Sequence, residues 1–237
     1  MLQSYLMKFI HWILPRICLC CGLDSEEVHL DLCASCKDNL PWINNRCYAC
    51  CLELTNTSEA ILCDHCRNNP PLFNRIYALF AYQPPITRLV TQLKFSKKLS
   101  VGLLMANLLA EAITTRWYKG QLLPQIIIPV PLHKLRQRDR GYNQAVEICR
   151  PLAKILDIPF GQHICQRVKY TQQQSRLNKQ QRNVNLINAF TAEVAAHYKH
   201  VVIVDDVVTS GSTVRAMCLA LLAAGVETID VWCIARA

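Results

Sequence analysis

The stretch VVIVDDVVTSGST, residues 201–213, decides the fold class of this 237-residue chain. Four β-branched apolar residues run into two adjacent carboxylates, Asp205 and Asp206, and a loop of small residues follows. A short apolar run bounded in this way is typical of a buried strand. The residues from 212 to 225 then place apolar side chains at helical spacing and end at a glycine, which commonly terminates a helix. The stretch therefore predicts a strand, a tight loop and a helix in succession.

The same alternation extends on both sides of this stretch. Apolar strands that alternate with helices form a parallel sheet that is covered by helices on both faces. The sequence therefore predicts an α/β fold. We expect strands at 75–82, 125–132, 200–206 and 227–236, and helices at 85–95, 99–118, 141–157 and 212–225.

The end of the 200–206 strand is the expected ligand site, because open α/β sheets bind ligands at the carboxyl ends of their strands. Backbone N–H groups of the loop and of the helix N-terminus suit a phosphate. Asp205 and Asp206 suit ribose hydroxyls or a hydrated Mg²⁺. A phosphoribosyl group with Mg²⁺ satisfies every part, and the alternative is a plain turn with an aspartate cap. The loop residues of this site are Thr209, Ser210, Gly211, Ser212 and Thr213.

The cysteines are concentrated at the other end of the chain. Ten of the fourteen precede residue 67, and the proline- and asparagine-rich stretch NNPPLFN, residues 68–74, follows them. The change in composition predicts a cysteine-rich module at 1–70 and an α/β domain at 71–237. The remaining four cysteines are expected to be buried thiols without special chemistry.

Four Cys-x-x-Cys pairs occur in the first module. Two residues between thiolates let a tight turn direct both sulfurs at one ion, and two such pairs complete a tetrahedron. We therefore expect two structural Zn²⁺ ions that stabilise a module too small to fold on its core alone. The eight expected ligands are Cys18, Cys21, Cys33, Cys36, Cys47, Cys50, Cys63 and Cys66.

Several alternatives remain for these cysteines. A disulfide framework requires an oxidising compartment, and nothing in the sequence directs export. Cys20 and Cys51 are neighbours of expected ligands and can replace them, and His29 and His65 are further candidate ligands. Spacing does not decide which pairs share an ion, although sequential pairing requires the shortest loops.

The 201–213 stretch resembles the diphosphate-sugar fingerprint of type I phosphoribosyltransferases, which is a hydrophobic strand, two acids and a T-x-G-x-T loop. The LKF of 93–95, the PVPL…RGYNQ of 129–144 and the Q-x-x-L…R-x-x-N of 174–185 extend the resemblance. With the cysteine pairs they make the whole chain similar to the ComF family of competence proteins. The resemblance implies a zinc module, a type I phosphoribosyltransferase-like domain with its sugar-phosphate site at 205–213, and no identified nucleophile.

The stretch HKLRQRDRGYN, residues 133–143, is strongly basic in a chain of net charge +9. We interpret it as a loop whose alternate cations face one side, and the resemblance places it opposite Asp205, where it meets pyrophosphate. Such a cluster also suits the backbone of single-stranded DNA, and the alternative is a solvated loop. Its cations are Lys134, Arg136, Arg138 and Arg140, and Arg182 of the Gln-rich segment is expected to cover the pocket.

Three functions follow as hypotheses. The resemblance implies a cytoplasmic factor of natural transformation that binds phosphoribosyl diphosphate or a related nucleotide and handles incoming single-stranded DNA. The rivals are an active phosphoribosyltransferase with a nitrogenous acceptor and a metabolite-sensing adaptor. The apolar residues 1–18 predict an amphipathic helix, with a membrane-surface anchor as the alternative. Partners in the DNA-uptake machinery at the inner face of the membrane are therefore also expected.

Overall fold

The computed structural model describes residues 16–25, 30–54, 61–96, 98–169 and 189–237. The helices of these ranges are α1 (Ala34–Asp38), α2 (Asp64–Asn68), α3 (Ile86–Phe95), α4 (Leu99–Ala112), α5 (Lys134–Arg140), α6 (Gln144–Leu156) and α7 (Ser212–Ala223). The strands are β1 (Arg75–Ala81), β2 (Ile126–Pro129), β3 (Cys165–Arg167), β4 (Phe190–Ala192), β5 (His200–Val208) and β6 (Thr228–Arg236). A π-helical turn, Ile113–Trp117, continues α4 where the sequence predicted a single longer helix.

Four strands form one sheet in the order β1-β6-β5-β2. Every neighbouring pair is parallel, so the carboxyl ends of all four strands lie at one edge. β5 is an interior strand of this sheet, and Val204 near its end pairs with Pro129 at the end of β2. The predicted parallel sheet is confirmed, and it brings the segment that follows β2 beside the last residues of β5.

Alternate side chains of the strands pack into two separate cores, one on each face. On one face Val202 and Val204 of β5 pack with α3, α4 and α6. On the other face Val201 and Ile203 pack with α7 and with the antiparallel ribbon of β3 and β4. Because strand residues alternate between faces, the continuous apolar run of β5 is explained by helices on both sides, as predicted.

The cysteine-rich segment contains the same small unit twice. In the first copy, residues 17–24 form a narrow hairpin with a turn at Cys18–Cys21, and in the second, residues 46–53 repeat it. Cys18 N donates to Leu23 O at 2.8 Å, and Cys47 N donates to Leu52 O at 2.8 Å. Each hairpin is completed by a five-residue helix, α1 or α2, whose N-cap is a cysteine. This duplication is a feature that the spacing of the cysteines alone did not reveal.

The predicted N-terminal helix falls mostly on residues 1–15, which lie outside the described residues. Its last three positions, 16–18, are described and are not helical. Ile17 instead forms a bridge with Asp24 at the base of the first hairpin. That part of the helix prediction is wrong, because the hairpin requires extended backbone where the apolar pattern had indicated a helix.

Backbone hydrogen bonds connect the cysteine-rich segment to the free edge of β1. Ile43 N donates to Leu79 O at 3.2 Å, Ala81 N donates to Pro41 O at 2.9 Å, and Ile76 N donates to Ala49 O at 2.7 Å. An edge strand presents unpaired N–H and C=O groups, and these contacts satisfy part of that edge. The division of the chain near residue 70 stays a prediction.

Within the described ranges, the helices are all too short or too polar to cross a bilayer.

Candidate functional site

Asp205 and Asp206 lie within β5, because the strand continues to Val208 instead of ending at the two acids. Each carboxylate turns back on its own chain. Asp205 Oδ1 accepts from Asp206 N at 2.8 Å, and Asp206 Oδ1 accepts from Val207 N at 2.8 Å. These bonds hold the two acids at the carboxyl edge of the sheet, which is where the sequence analysis expects a ligand.

The two acids differ in their surroundings. Burial, together with the charge of neighbouring Asp206, raises the pKa of the Asp205 carboxyl well above its ordinary value. Asp206 is 4% exposed, and its Oδ2 lies 2.7 Å from the Nζ of Lys94. The ion pair compensates the buried charge of Asp206, whereas Asp205 is better able to retain a proton.

Lys94 is a site residue that was not singled out from the sequence. It is the middle residue of the LKF motif, near the end of α3, far from β5 along the chain. The motif was the only signal available, since nothing in the spacing indicates that this ammonium reaches Asp206. A lysine at this position pairs with the carboxylate and adds a cation beside the expected sugar-phosphate pocket.

The loop 209–213 and the end of β5 line a shallow cavity together with Asp205. Gly211 has φ +74 and is the N-cap of α7, so this position favours glycine for its left-handed backbone. A Cβ there would meet no atom within 4 Å. Ser210 Oγ lies 2.7 Å from Ser212 Oγ, so the two hydroxyls are paired at the mouth of the cavity. Six of the seven residues predicted for this part of the site line this cavity, whereas Asp206 is buried beside it and contacts Lys94.

The basic stretch 134–140 is helix α5 and not the predicted loop. His133 caps it by accepting the N–H of Leu135, and Gly141 ends it with φ 80. At about 100° per residue, alternate positions of a helix do not share a face. The four cations therefore divide into two pairs, with Arg136 and Arg140 half-buried, and Lys134 and Arg138 exposed.

The half-buried pair of α5 faces the body of the protein. Arg140 Nη1 donates to Gln144 Oε1 at 3.0 Å, and the guanidinium lies 5.1 Å from the centre of the Phe95 ring. Phe95 directly follows Lys94 and is 67% exposed. Phe95 is the last residue of the LKF motif, and no pattern in the sequence indicated that its ring lies beside both a cation and the residue that contacts Asp206.

Arg167, at the end of β3, is a further cation that sequence reasoning missed. Burial lowers its pKa, the neighbouring charge of Arg136 lowers it further, and the charge of Asp205 acts in the opposite direction. The guanidinium lies 5.6 Å from the centre of the Phe190 ring on β4. Arg167 also lines a second, larger cavity between α5, the start of α6 and the β3 ribbon. A lone arginine in a three-residue strand gave no signal in the sequence.

Asn143 and Tyr142 of the RGYNQ motif have structural contacts. Asn143 Nδ2 donates to Val130 O at 2.9 Å, and its Oδ1 caps α6 by accepting the N–H of Ala145. The hydroxyl of Tyr142 donates to the carbonyl oxygen of Leu93. These bonds join the end of β2, the start of α6 and the end of α3, and so they fix the position of Lys94 and Phe95. Arg182 lies outside the described residues.

The eight predicted cysteine ligands form two groups of four. In each group the sulfurs all lie within 4.8 Å of one another, so each can hold one metal ion. Cys21 and Cys33 have their sulfurs 3.9 Å apart, and the sulfurs of Cys50 and Cys63 are 3.7 Å apart. A tetrahedral ion with bonds of about 2.3 Å to sulfur places its ligands about 3.8 Å apart. The first group, cluster one, is Cys18, Cys21, Cys33 and Cys36, and the second, cluster two, is Cys47, Cys50, Cys63 and Cys66.

The grouping decides between the alternatives that spacing left open. The pairs associate in sequence order, and neither Cys20 nor Cys51 belongs to a group. Cys51 is buried, and its φ of 58 matches the φ of 79 at Gly22, its counterpart in the first hairpin. His65 is also absent from both groups, whereas His29 lies outside the described residues.

One thiol in each group is surrounded by backbone donors. Burial opposes ionisation of Cys18, but the N–H groups of Cys33, Cys21 and Cys20 lower its pKa to about 6. Cys47 is similar, since burial is outweighed by N–H donors that lower its pKa to about 7. Cys63 N donates to Cys47 Sγ at 3.3 Å. Backbone donors aimed at a sulfur favour the thiolate, which is the form that binds a metal.

Known proteins are similar in sequence to the α/β region and to most of the chain. The family model described as a phosphoribosyl transferase domain matches residues 143–237. The DNA utilization protein YhgH of Salmonella typhimurium is 39% identical over 165 residues, which are 69% of this chain and 73% of that protein.

Two competence proteins are also similar. Competence protein F of Haemophilus influenzae is 39% identical over 169 residues, 70% of this chain and 74% of its own length. Competence protein ComFC of Bacillus subtilis is 31% identical over 100 residues, 42% of this chain and 39% of that protein. These similarities agree with the resemblance that the cysteine pairs and the 201–213 stretch indicate, and the chain belongs to the ComF family of competence and DNA utilization proteins.

Proposed function

We propose that this protein binds Mg²⁺ and phosphoribosyl diphosphate at the carboxyl edge of the sheet and handles single-stranded DNA there during DNA uptake. Two structural zinc ions, one in each cysteine cluster, belong to this proposal. The observation that supports the proposal is that acidic and cationic side chains lie close together at the carboxyl edge of the sheet. Asp205 and Asp206 provide acceptors for a sugar diol and Mg²⁺, while Lys94 contacts Asp206 and the charges of Asp205 and Arg167 act on each other.

The loop 209–213 supplies the remaining part of the sugar-phosphate site. It lies at the N-terminus of α7, a twelve-residue helix, and its hydroxyls line the cavity beside Asp205. Backbone N–H groups at a helix N-terminus stabilise a phosphate through both hydrogen bonds and the helix dipole. The ribose 5-phosphate is therefore assigned to the loop, and the diol or Mg²⁺ to the acids.

The DNA part of the proposal depends on α5 and Phe95. Proteins that bind single strands without sequence preference combine a basic groove with aromatic rings on which bases stack. Arg140 and Phe95 place a cation and an exposed ring side by side, next to Lys94. A strand that lies along α5 would bring its phosphates to the arginines and one base to the Phe95 ring. The relatives named for DNA utilization and competence support a role with DNA.

A binding assay tests both parts together. We would measure fluorescence anisotropy of a labelled oligothymidylate and of an abasic oligomer of equal length. The wild-type protein should bind the base-bearing strand more tightly, and phosphoribosyl diphosphate with Mg²⁺ should displace both, since the same cations serve both ligands. Absence of any binding at low salt would overturn the DNA role.

The Phe95→Ala variant isolates the stacking step. It should lose about 1–3 kcal/mol of affinity for the base-bearing strand and almost none for the abasic one. Phe95→Tyr should retain the preference, because a phenol ring also stacks. Ile155→Ala on α6, which removes another exposed apolar side chain, is the matched control. Equal losses on both oligomers would show that Phe95 does not stack on a base.

A second candidate function is phosphoribosyl transfer, and the β3–β4 ribbon favours it. The ribbon stands outside the main sheet, and its Cys165 and Arg167 line the second cavity with Asn143 and Val146. A cavity of mixed polarity beside a sugar-phosphate site is suited to a nitrogenous acceptor. Release of pyrophosphate from phosphoribosyl diphosphate on addition of a base or of single-stranded DNA would establish transfer. Binding without pyrophosphate release would exclude transfer to the acceptors tried.

A further inference from the structure

Arg236, at the end of β6, is a buried cation to which the proposed function gives no task. It is 8% exposed. Its Nε donates to the carbonyl oxygen of Cys50 at 2.9 Å, and its Nη1 donates to that of Val208 at 2.8 Å and to that of Thr209. One guanidinium thus joins a residue of cluster two to the point where β5 passes into the 209–213 loop.

The chemistry of arginine explains why this residue can make the connection. A guanidinium is planar and carries five N–H donors in a rigid fork, so its acceptors are held at fixed positions relative to one another. A buried charge must be hydrogen-bonded, and here the acceptors are the carbonyl groups of Cys50, of Val208 and Thr209, and of the neighbouring Ala237. Cys50 and Arg236 are 186 positions apart in the sequence. The contact is therefore long-range, and moving any one acceptor disturbs the others.

Cluster one has different neighbours. Arg88 of α3 donates to the carbonyl oxygen of Cys20, and Lys37 Nζ lies 3.0 Å from Glu111 Oε2 on α4. Both contacts lead to the helices that cover one face of the sheet. The two clusters are similar in local structure, but among the described residues only cluster two is linked to the 209–213 loop through the hydrogen bonds of one side chain, that of Arg236.

We infer that Arg236 is a positioning residue through which metal binding at cluster two orders the 209–213 loop. A metal bound to Cys50 Sγ fixes the turn that carries the Cys50 carbonyl. When the metal is lost, the guanidinium loses a fixed acceptor, and the carbonyls of Val208 and Thr209 lose their shared anchor. The inference rests on the proposed function where it adds that the ordered loop holds a phosphate, because preordered N–H groups bind without a further ordering cost.

Hydrogen–deuterium exchange of the unliganded, zinc-loaded protein tests the link without a sugar phosphate. Cys63→Ser and Cys33→Ser are matched variants, since these cysteines are the N-caps of α2 and α1 in the two repeated units. Cys63→Ser should speed exchange of the 208–213 amides about tenfold or more, as expected for loss of a buried charged hydrogen bond. Cys33→Ser should leave them unchanged, and the amides of 201–204 should stay protected in both variants.

Arg236→Lys keeps the positive charge but removes the planar set of guanidinium N–H donors. Together with Cys63→Ser it forms a double-mutant cycle. Alone it should speed exchange of the loop as much as Cys63→Ser does, and the two changes together should add little more. If Cys63→Ser also exposes residues 201–204, the Arg236→Lys result decides the question by itself.

Independent, additive effects, or a loop that exchanges at the wild-type rate in Arg236→Lys, would overturn the inference. If the loop responds as expected but the wild-type protein does not bind phosphoribosyl diphosphate, the link stands and the proposed function fails. If binding occurs and follows loop protection across the variants, both stand.

Discussion

At the scale of single residues, the site depends on two adjacent carboxylates that have different electrostatic surroundings. Asp206 is paired with Lys94 at 2.7 Å, while burial and the charge of Asp206 raise the pKa of Asp205. The Asp206 N–H and the charge of Lys94 offset only part of the free-energy cost of ionising Asp205 beside Asp206, and folding alone does not require an acid at this position. A residue that lowers the stability of the folded protein is expected at a site where a bound ligand interacts with it.

The raised pKa of Asp205 makes stability depend on pH. Between the ordinary value of 3.8 and the raised value, the folded chain binds more protons than the unfolded chain, so the free energy of unfolding falls as pH rises. Asp205→Asn removes this charge at every pH. At pH values above the raised pKa, the free energy of unfolding of the variant should exceed that of the wild type by about 1.4 kcal/mol for each unit by which the pKa is raised.

Thermal unfolding of the two proteins at matched pH values from 6 to 9 measures this gain. Each kcal/mol should raise the midpoint by about 2–4 °C for a chain of this size. Asp157→Asn, which changes an exposed aspartate at the left-handed C-cap of α6, is the control, and it should raise stability by at most about 1 kcal/mol, equally at every pH in this range. A wild type that is as stable as Asp205→Asn throughout this range would show that the ionised Asp205 carboxylate does not destabilise the folded protein.

Residues that reach the site from distant elements were the hardest to predict. Asp205, Asp206 and the 209–213 loop are contiguous, so a local pattern identified them. Lys94, Arg167 and Phe95 arrive on α3 and β3, and their proximity exists only after the sheet has assembled. No periodicity or spacing in the sequence carries that information, although the LKF motif indicated that the segment was special.

At the scale of elements, the helical conformation of α5 determines which of its cations can contact the same ligand. As a loop, the basic stretch would present its alternate cations together. As a helix with a cap at His133 and a left-handed Gly141, it separates Arg136 and Arg140 from Lys134 and Arg138. Seven residues with a single apolar side chain have no apolar periodicity, so the helix could not be predicted from pattern. The strands and longer helices, whose apolar runs pack against one another, were predicted to within a few residues.

The two faces of α5 should contribute unequally to DNA binding. Arg136→Ala with Arg140→Ala removes the pair that faces Arg167 and Phe95, and it should lower the slope of log affinity against log salt by about 1.4, at roughly 0.7 per phosphate contact. Lys134→Ala with Arg138→Ala removes the same charge from the exposed face and should change the slope less. Titrations at several salt concentrations measure both slopes. A larger effect of the exposed pair would place the strand on the outer side of α5.

At the scale of the whole molecule, the cysteine-rich segment is part of the sheet's surroundings. Its backbone covers the edge of β1, Leu32 and Leu40 join the core beneath α3 and α4, and Arg236 connects Cys50 to β5. The sequence predicted two cysteine clusters and a division of the chain near residue 70. The contacts between the cysteine-rich segment and the sheet include backbone bonds, apolar packing and the buried Arg236, and composition does not reveal them.

Metal removal should therefore affect more than the cysteine-rich segment. Protein purified without chelator should contain two zinc ions per chain, because each cluster has four thiols at tetrahedral spacing. Metal analysis by mass spectrometry gives the stoichiometry, and chelation should lower the unfolding temperature of the α/β domain as well. A folded, metal-free protein with disulfides among these cysteines would contradict the zinc proposal.

The most direct test of the central claim is calorimetric titration of phosphoribosyl diphosphate into the zinc-loaded protein, with and without Mg²⁺. The wild type should bind, and Mg²⁺ should strengthen binding. Asp205→Asn with Asp206→Asn removes two charged acceptors worth about 1.5–3 kcal/mol each, so affinity should fall about a hundredfold or more, while Asp157→Asn should bind like the wild type. Unchanged affinity in a folded double variant would contradict the assignment of β5 and the 209–213 loop as the sugar-phosphate site.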